Sequence, residues 1–144
     1  MMTTAQLITE IQAEEGFRSL PYQDEGGVWT QGYGETHGVT AESPPVTKAE
    51  AEQALLRTLA AKCAGLDHAI PWWRELDDVR QDVLADMAFN LGVQGVLKFK
   101  ATLAACRAGS WAHASGQMLM SEWAGEVGQR AVRLAAMMRT GARP

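Results

Sequence analysis

Glu15, Asp24 and Thr30 are the residues of this 144-residue chain whose types and spacing best suit a reaction. Positions 8, 11 and 15 share one face of the first helical pattern, so the Glu15 carboxylate points toward the interior or a cleft wall. It sits at the negative, C-terminal end of that helix, with Glu14 beside it. Burial, helix end and like charge all disfavour ionisation, which suits an acid that protonates a leaving group near neutral pH. Asp24 follows nine positions later in a turn region, and Thr30 six later in a strand pattern. Two carboxylates across a groove suit glycosidic cleavage: one protonates the bond oxygen, the other handles a water or stabilises developing positive charge. A threonine hydroxyl can help hold that water. Each residue also has a plainer role, as a helix-end glutamate, a turn-forming aspartate and a strand-forming threonine.

The elements that must position these residues can be read from periodicity. Thr3 and Gln6 form a capping-box pattern ahead of a first helix over about 4–15, stopped by Gly16. Residues 17–34 favour a small β-hairpin or three-stranded sheet, with Gly26-Gly27 at a tight turn. A loop runs from Thr36 to Pro45. Thr47 and Glu50 make a second capping box before a long helix striped by Leu55, Leu59, Cys63, Leu66 and Ile70 and ended by Pro71. A third helix follows Asp78, with Val79, Val83, Leu84, Met87, Ala88 and Leu91 on one face. Further helical patterns cover about 97–107, 112–123 and 129–139. The expected fold class is α+β, mostly α, with one small N-terminal sheet.

Composition narrows the function classes. The chain is 47% hydrophobic and 21% charged, as expected of one globular domain with a proper core. A net charge of −4 argues against a nucleic-acid partner. No apolar run reaches membrane-spanning length. The N-terminus lacks the pattern of a secretory signal, so a cytoplasmic location is expected before release. Cys63 and Cys106 read as small buried hydrophobes. The charge is uneven: residues 1–96 carry 6 basic and 15 acidic side chains, residues 97–144 carry 7 and 2.

Glu15-Gly16-Phe17-Arg18, Tyr22-Gln23-Asp24 and Gly27-Val28-Trp29-Thr30-Gln31-Gly32-Tyr33-Gly34 resemble the phage-type lysozymes, the endolysin family that includes the T-even phage enzyme. Further similarity lies in Thr47–Glu52, in Arg80 through Phe89-Asn90-Leu91-Gly92, in Trp123, Arg130 and Arg133, and in Arg139-Thr140-Gly141. It extends over nearly the whole chain. The resemblance implies a lysozyme-like, two-lobed single catalytic domain over 1–144. A β-containing lobe would cover about 15–46 and a helical lobe about 70–144, with the N-terminal helix, joined by the long helix. It implies an inverting muramidase acting on the β-1,4 bond between N-acetylmuramic acid and N-acetylglucosamine in peptidoglycan. Glu15 would be the general acid, and Asp24 and Thr30 would position the water. Gly34, Phe89, Asn90, Thr102 and Gln117 would stand on the substrate side. Arg130 would reach Glu15 and Arg133 would pair with Glu14. A cation there would favour ionisation of Glu15, so the residues leave the sign of its shift open.

No metal or organic cofactor is implied. The implied partner is bacterial peptidoglycan, met by a monomer that needs a separate holin-type protein to leave the host cytoplasm for the wall. One departure from the family pattern is Glu35 where histidine is usual, with His37 two residues on. It reads as a structural replacement or as a third carboxylate that alters pH dependence or substrate choice. Rival readings are a lytic transglycosylase, against which an intact Asp24 and Thr30 argue, and a non-catalytic glycan-binding or virion structural module on the same fold. A bactericidal toxin domain is a further rival.

Overall fold

The computed structural model describes residues 5–144, which fall into compact units of residues 5–61 and 62–144. Among the described residues the chain is mostly helical with one two-stranded sheet, the α+β, mostly α class expected. Thr3 of the first capping box lies outside them.

In the unit 5–61, α1 (Ala5–Glu15) buries Leu7 and Ile11. It closes where the Gly16 N–H donates to the Gln12 carbonyl at 2.9 Å. Strands β1 (Arg18–Gln23) and β2 (Trp29–Gly32) pair antiparallel, with Tyr22 opposite Thr30, Gln23 opposite Trp29 and a register shift between Arg18 and Tyr22. The sheet has two strands. The chain beyond β2 adds only an isolated bridge between Gln31 and Glu35. Gln31, almost fully buried, donates from Nε2 to the Ser19 and Pro44 carbonyls at 3.2 and 3.1 Å. The Ser19 hydroxyl donates to the Val46 carbonyl at 2.9 Å. These bonds tie the loop after β2 to β1. Helix α2 (Lys48–Ala69) then starts at the expected capping box: Thr47 N–H donates to Glu50 Oε1 at 2.9 Å, and Glu50 N–H to Thr47 Oγ1 at 3.1 Å. Its stripe of Leu55, Leu59, Cys63, Leu66 and Ile70 is buried as the period requires.

The unit 62–144 opens on the end of α2. Asp67 Oδ1 accepts from Arg74 Nε at 2.6 Å and from Trp73 Nε1 at 2.9 Å, and Oδ2 accepts from Arg74 Nη2 at 2.9 Å. Chiefly through that hydrogen-bonded guanidinium, the Asp67 carboxyl is held below the usual carboxylate range. The clamp folds the single 3-10 turn Pro71–Glu75 back on the helix end. The remaining helices are α3 (Asp78–Leu91), α4 (Val93–Leu97), α5 (Lys100–Ala108), α6 (Trp111–Leu119), α7 (Glu122–Val127) and α8 (Gln129–Thr140). The most extensive packing is of α6 on α8 and of α5 on α6, and α3 lies against α4 and α8.

Three expectations need correction. The pattern over 112–123 is two helices, because Ser121 caps α7: its hydroxyl donates to the Met118 carbonyl at 2.7 Å and accepts from Ala124 N–H at 3.2 Å. The pattern from 97 likewise starts later, with α4 ending at Leu97 and α5 beginning at Lys100. Helix α3 is not one-faced either. Every residue from Arg80 to Ala88 is buried, four of them polar or charged. The charged ones are answered. Arg80 Nε and Nη2 donate to the Met138 and Arg139 carbonyls at 2.7 and 3.1 Å. Asp86 accepts from Arg130 and Arg133. Arg143 Nη2 meets Asp82 Oδ2 at 2.9 Å.

Both cysteines are buried, as expected, and neither is in a disulfide. Burial pushes the Cys106 thiol up to about 11 from 9.0. Two predictions follow from this unit. Arg143→Ala, which strips a hydrogen-bonded charge from the fully buried Asp82, lowers the unfolding free energy by about 2 kcal/mol in a denaturant titration. Unfolded Cys106 releases its proton near 9.0 while the folded thiol keeps it to about 11. Its stability contribution is therefore complete below pH 9 and lost as the pH climbs toward 11. Across that interval the wild type loses more stability than Cys106→Ala, whatever their offset at neutral pH.

Candidate active site

The unit 5–61 holds Glu15, Asp24, Thr30 and Gly34. Glu15 is the last residue of α1, half-buried. Asp24 lies in the exposed turn between β1 and β2 and organises it. Its Oδ1 accepts from the Gly26 and Val28 N–H groups, both at 2.9 Å, while its own N–H donates to the Val28 carbonyl at 3.0 Å. This is the side-chain turn that aspartate forms readily. It uses one carboxylate oxygen, and Oδ2 makes no hydrogen bond to a described residue. Thr30, on β2 and 4% exposed, donates its hydroxyl to the same Val28 carbonyl at 2.9 Å. Asp24 and Thr30 are thus brought together through Val28. The Thr30 hydroxyl proton is committed, so its free lone pairs can only accept.

Gly34 sits against Glu15. Its φ is +76°, and a Cβ built there would overlap Glu15 Oε1 and lie 3.2 Å from Glu15 Cδ. The position demands glycine twice, for the left-handed backbone and for the carboxylate's space. Glu35 follows directly. Its backbone pairs with Gln31, its Oε1 accepts from His37 N–H at 2.9 Å, and its Oε2 accepts from Thr58 Oγ1 on α2 at 3.4 Å. Both oxygens of this departure from the family pattern hold the loop in place. Phe17 and Tyr33 are in ring contact at 5.5 Å, and the Arg18 guanidinium lies 4.4 Å from the Tyr22 ring centroid.

The other expected residues lie in the unit 62–144. Phe89 is half-buried near the end of α3. Asn90 next to it accepts at Oδ1 from Trp123 Nε1 at 2.7 Å. Trp123 in turn meets Phe99 edge-on at 5.9 Å. Thr102 on α5 is buried, although a polar helix-surface position was the plainer reading. Gln117 on α6 is half-buried and lines a groove of about 470 Å³ with Phe99 and Trp123. Arg130 and Arg133, which the resemblance directs toward Glu15 and Glu14, both engage Asp86: Arg130 Nε at 2.9 Å from Oδ1 and Arg133 Nη2 at 3.4 Å from Oδ2. Among the described residues no group of three His, Cys, Asp or Glu is arranged to hold a metal ion.

Sequence reasoning passed over Asp86, and it named Gln31 and Trp123 only as carriers of the resemblance, with no structural role. Asp86 carried a signal. Asp82 and Asp86 are four apart on one helix among apolar neighbours, a like-charged pair that needs cations from elsewhere. Gln31 and Trp123 act by tying loops and helices, which no local pattern encodes.

The Gly34 geometry can be isolated with a matched control. Gly38 has a similar φ, +72°, with nothing within 4 Å of its built Cβ. Gly38→Ala therefore costs the backbone strain alone, about 1 kcal/mol. Gly34→Ala adds the displacement of the Glu15 carboxylate and unfolds at a clearly lower denaturant concentration than Gly38→Ala.

Residues 12–139, which include Glu15, Asp24 and Thr30, match the profile of the phage lysozyme family. A Dictyostelium discoideum protein named Probable T4-type lysozyme 1 is 24% identical over 156 residues, covering 91% of this chain and 92% of that protein. The pre-baseplate central spike protein Gp5 of Enterobacteria phage T4 is 38% identical over 71 residues, covering 49% of this chain and 12% of the spike protein. With the family profile spanning most of its length, and with the glutamate, aspartate and threonine set on a helix end and a hairpin, the chain belongs to the phage lysozyme family.

Proposed function

We propose that the protein is a muramidase that hydrolyses the β-1,4 bond between N-acetylmuramic acid and N-acetylglucosamine in bacterial peptidoglycan. The observation that carries this reading is the Asp24, Val28 and Thr30 arrangement. One Asp24 oxygen is fixed by two backbone N–H groups, and the Thr30 hydroxyl is turned onto the Val28 carbonyl. What remains, Asp24 Oδ2 and the Thr30 lone pairs, can only accept hydrogen bonds from a water. Two fixed acceptors orient that water's lone pair toward a sugar carbon, and a carboxylate can take its proton as it attacks. Glu15 is the acid of the pair and protonates the departing oxygen. Attack by a water held on the aspartate side, with no covalent step, inverts the anomeric carbon. No part of this sequence draws on a metal or an organic cofactor.

Phe89, Asn90 and Gln117, which keep exposed surface, would be further contacts for the glycan. In its biological setting the protein would act as a monomeric endolysin. It would accumulate in the host cytoplasm and reach the wall after a holin-type protein opens the way.

The likeness to a spike protein favours one other reading, a structural module that retains the fold without needing its chemistry. Glu15→Gln separates the two. The muramidase loses at least about 10²-fold in clearing a suspension of purified cell walls while keeping its melting temperature within a few degrees. Wild-type clearance by a folded Glu15→Gln protein defeats the reading. Mass analysis of the wild-type products shows reducing ends for hydrolysis, whereas anhydro ends would mark a transglycosylase.

A further inference from the structure

The unit 62–144 contains a second concavity, of about 660 Å³, built without any of the residues assigned above to catalysis or substrate contact. Its walls include Trp72, Glu75, Asp77, Arg107 and Trp111. The Trp111 indole is held from behind, and Trp72 stands on an anchored turn. Trp72 lies in the 3-10 turn beside Trp73, whose Nε1 is fixed on Asp67. Trp111 begins α6, with the Arg80 guanidinium 3.9 Å from its ring centroid. That guanidinium is itself locked by Asp77 and by the Met138 and Arg139 carbonyls. Both tryptophans remain half-exposed.

The polar groups between them are differently placed. The Glu75 carboxylate makes no hydrogen bond or ion pair with a described residue. Among the described residues the Arg107 guanidinium makes only a contact at 5.8 Å from the Trp72 ring centroid. An acceptor and a forked donor thus remain available beside two half-exposed indoles. Asp77 is neutralised by its ion pair with Arg80 at 3.0 Å, which leaves Glu75 and Arg107 as one charge of each sign on the walls. A ligand with net charge would gain little there, whereas a neutral one with both hydroxyl and carbon-bound hydrogen faces would gain from every group. The volume lies in the range of pockets for small ligands and suits one or two sugar rings.

We propose that this groove binds a neutral saccharide, as a second glycan contact apart from Glu15, Asp24 and Thr30. The identity of the sugar as an N-acetylated chain rests on the muramidase reading. The existence of a saccharide groove rests on the geometry of Trp72, Glu75, Arg107 and Trp111. On a polymeric substrate a second contact raises retention on the wall without touching the reaction itself.

The test is a titration of the ¹⁵N-labelled full chain, as wild type and as Glu15→Gln, with an N-acetylglucosamine tetramer. The indole N–H signals are assigned through Trp72→Phe and Trp111→Phe. The expected result is a saturable shift of both indole signals in both proteins. Binding should be about fivefold or more weaker in Trp72→Ala and in Glu75→Gln, each checked for an unaltered fold by its melt. Two still indole signals at saturating tetramer, or wild-type affinity in both weakened variants, would overturn the proposal. So would shifts produced by oligolysine or polyphosphate in place of the tetramer. Because the readout is at the indoles, absence of wall hydrolysis by the wild type would sink the muramidase reading and leave this result standing.

Discussion

A helix buried on every side can carry charge only if each charged group is answered in place, and α3 depends on that condition. Asp82 and Asp86 have no exposed surface, and an unanswered carboxylate there would cost several kcal/mol. Arg130 and Arg133 reach Asp86 from α8, Arg143 reaches Asp82 from beyond it, and Arg80 binds carbonyls at the end of α8. The last fifteen residues of the chain are therefore partners of the central helix. The same Arg80 guanidinium that fastens α8 also backs Trp111 at the start of α6. A single set of arginines thus fixes α3 and α8 and one wall of the Trp72 and Trp111 groove. Buried ion pairs of this kind contribute modestly to net stability. Their stronger effect is to penalise any packing in which a partner is missing.

The unit that carries Glu15, Asp24 and Thr30 follows a different principle. Its site is built on backbone geometry at the edges of elements. Glu15 ends a helix, Asp24 forms its own turn, and Thr30 shares a carbonyl with that turn. Gly34 leaves room where any side chain would strike the Glu15 carboxylate. The loop beyond is held by Glu35 and Gln31, so the chain returns to α2 along a fixed path. Asp24 and Glu15 placed this way keep solvent access, which hydrolysis would require.

What was legible in the sequence tracks how local the cause is. The capping box at Thr47 and Glu50 and the stripe from Leu55 to Ile70 are set by neighbours within a turn, and both appear as read. The hairpin and the Glu15, Asp24 and Thr30 spacing belong to the same class. The all-round burial of α3 was not legible, since Arg80, Asp82 and Asp86 look like a solvated face until residues some fifty positions away are known to bind them. The break at Ser121 was hidden because a serine in a helical pattern is ambiguous between cap and interior. Glu35 was ambiguous for a related reason: its identity differs from the family pattern, but its partner Thr58 is distant in sequence.

The charge asymmetry changes most once the units are known. Cut at residue 96, the chain looks like an acidic front and a basic back. Divided as it folds, the unit 5–61 has 3 basic against 9 acidic side chains, and the unit 62–144 has 10 against 8. The apparent basicity of the last third is largely cancelled by α3, whose aspartates lie before the cut and take up Arg130, Arg133 and Arg143 internally. The unit with the candidate acid is strongly negative and the other is close to neutral. Neither projects a field that would draw in an anionic wall polymer over distance, and salt screens what little there is within about 10 Å at ordinary ionic strength. On the proposed muramidase reading, productive encounters would then depend on short-range contacts that tolerate salt, such as flat aromatic faces and uncharged hydrogen bonds. That is the chemistry presented by Trp72 and Trp111.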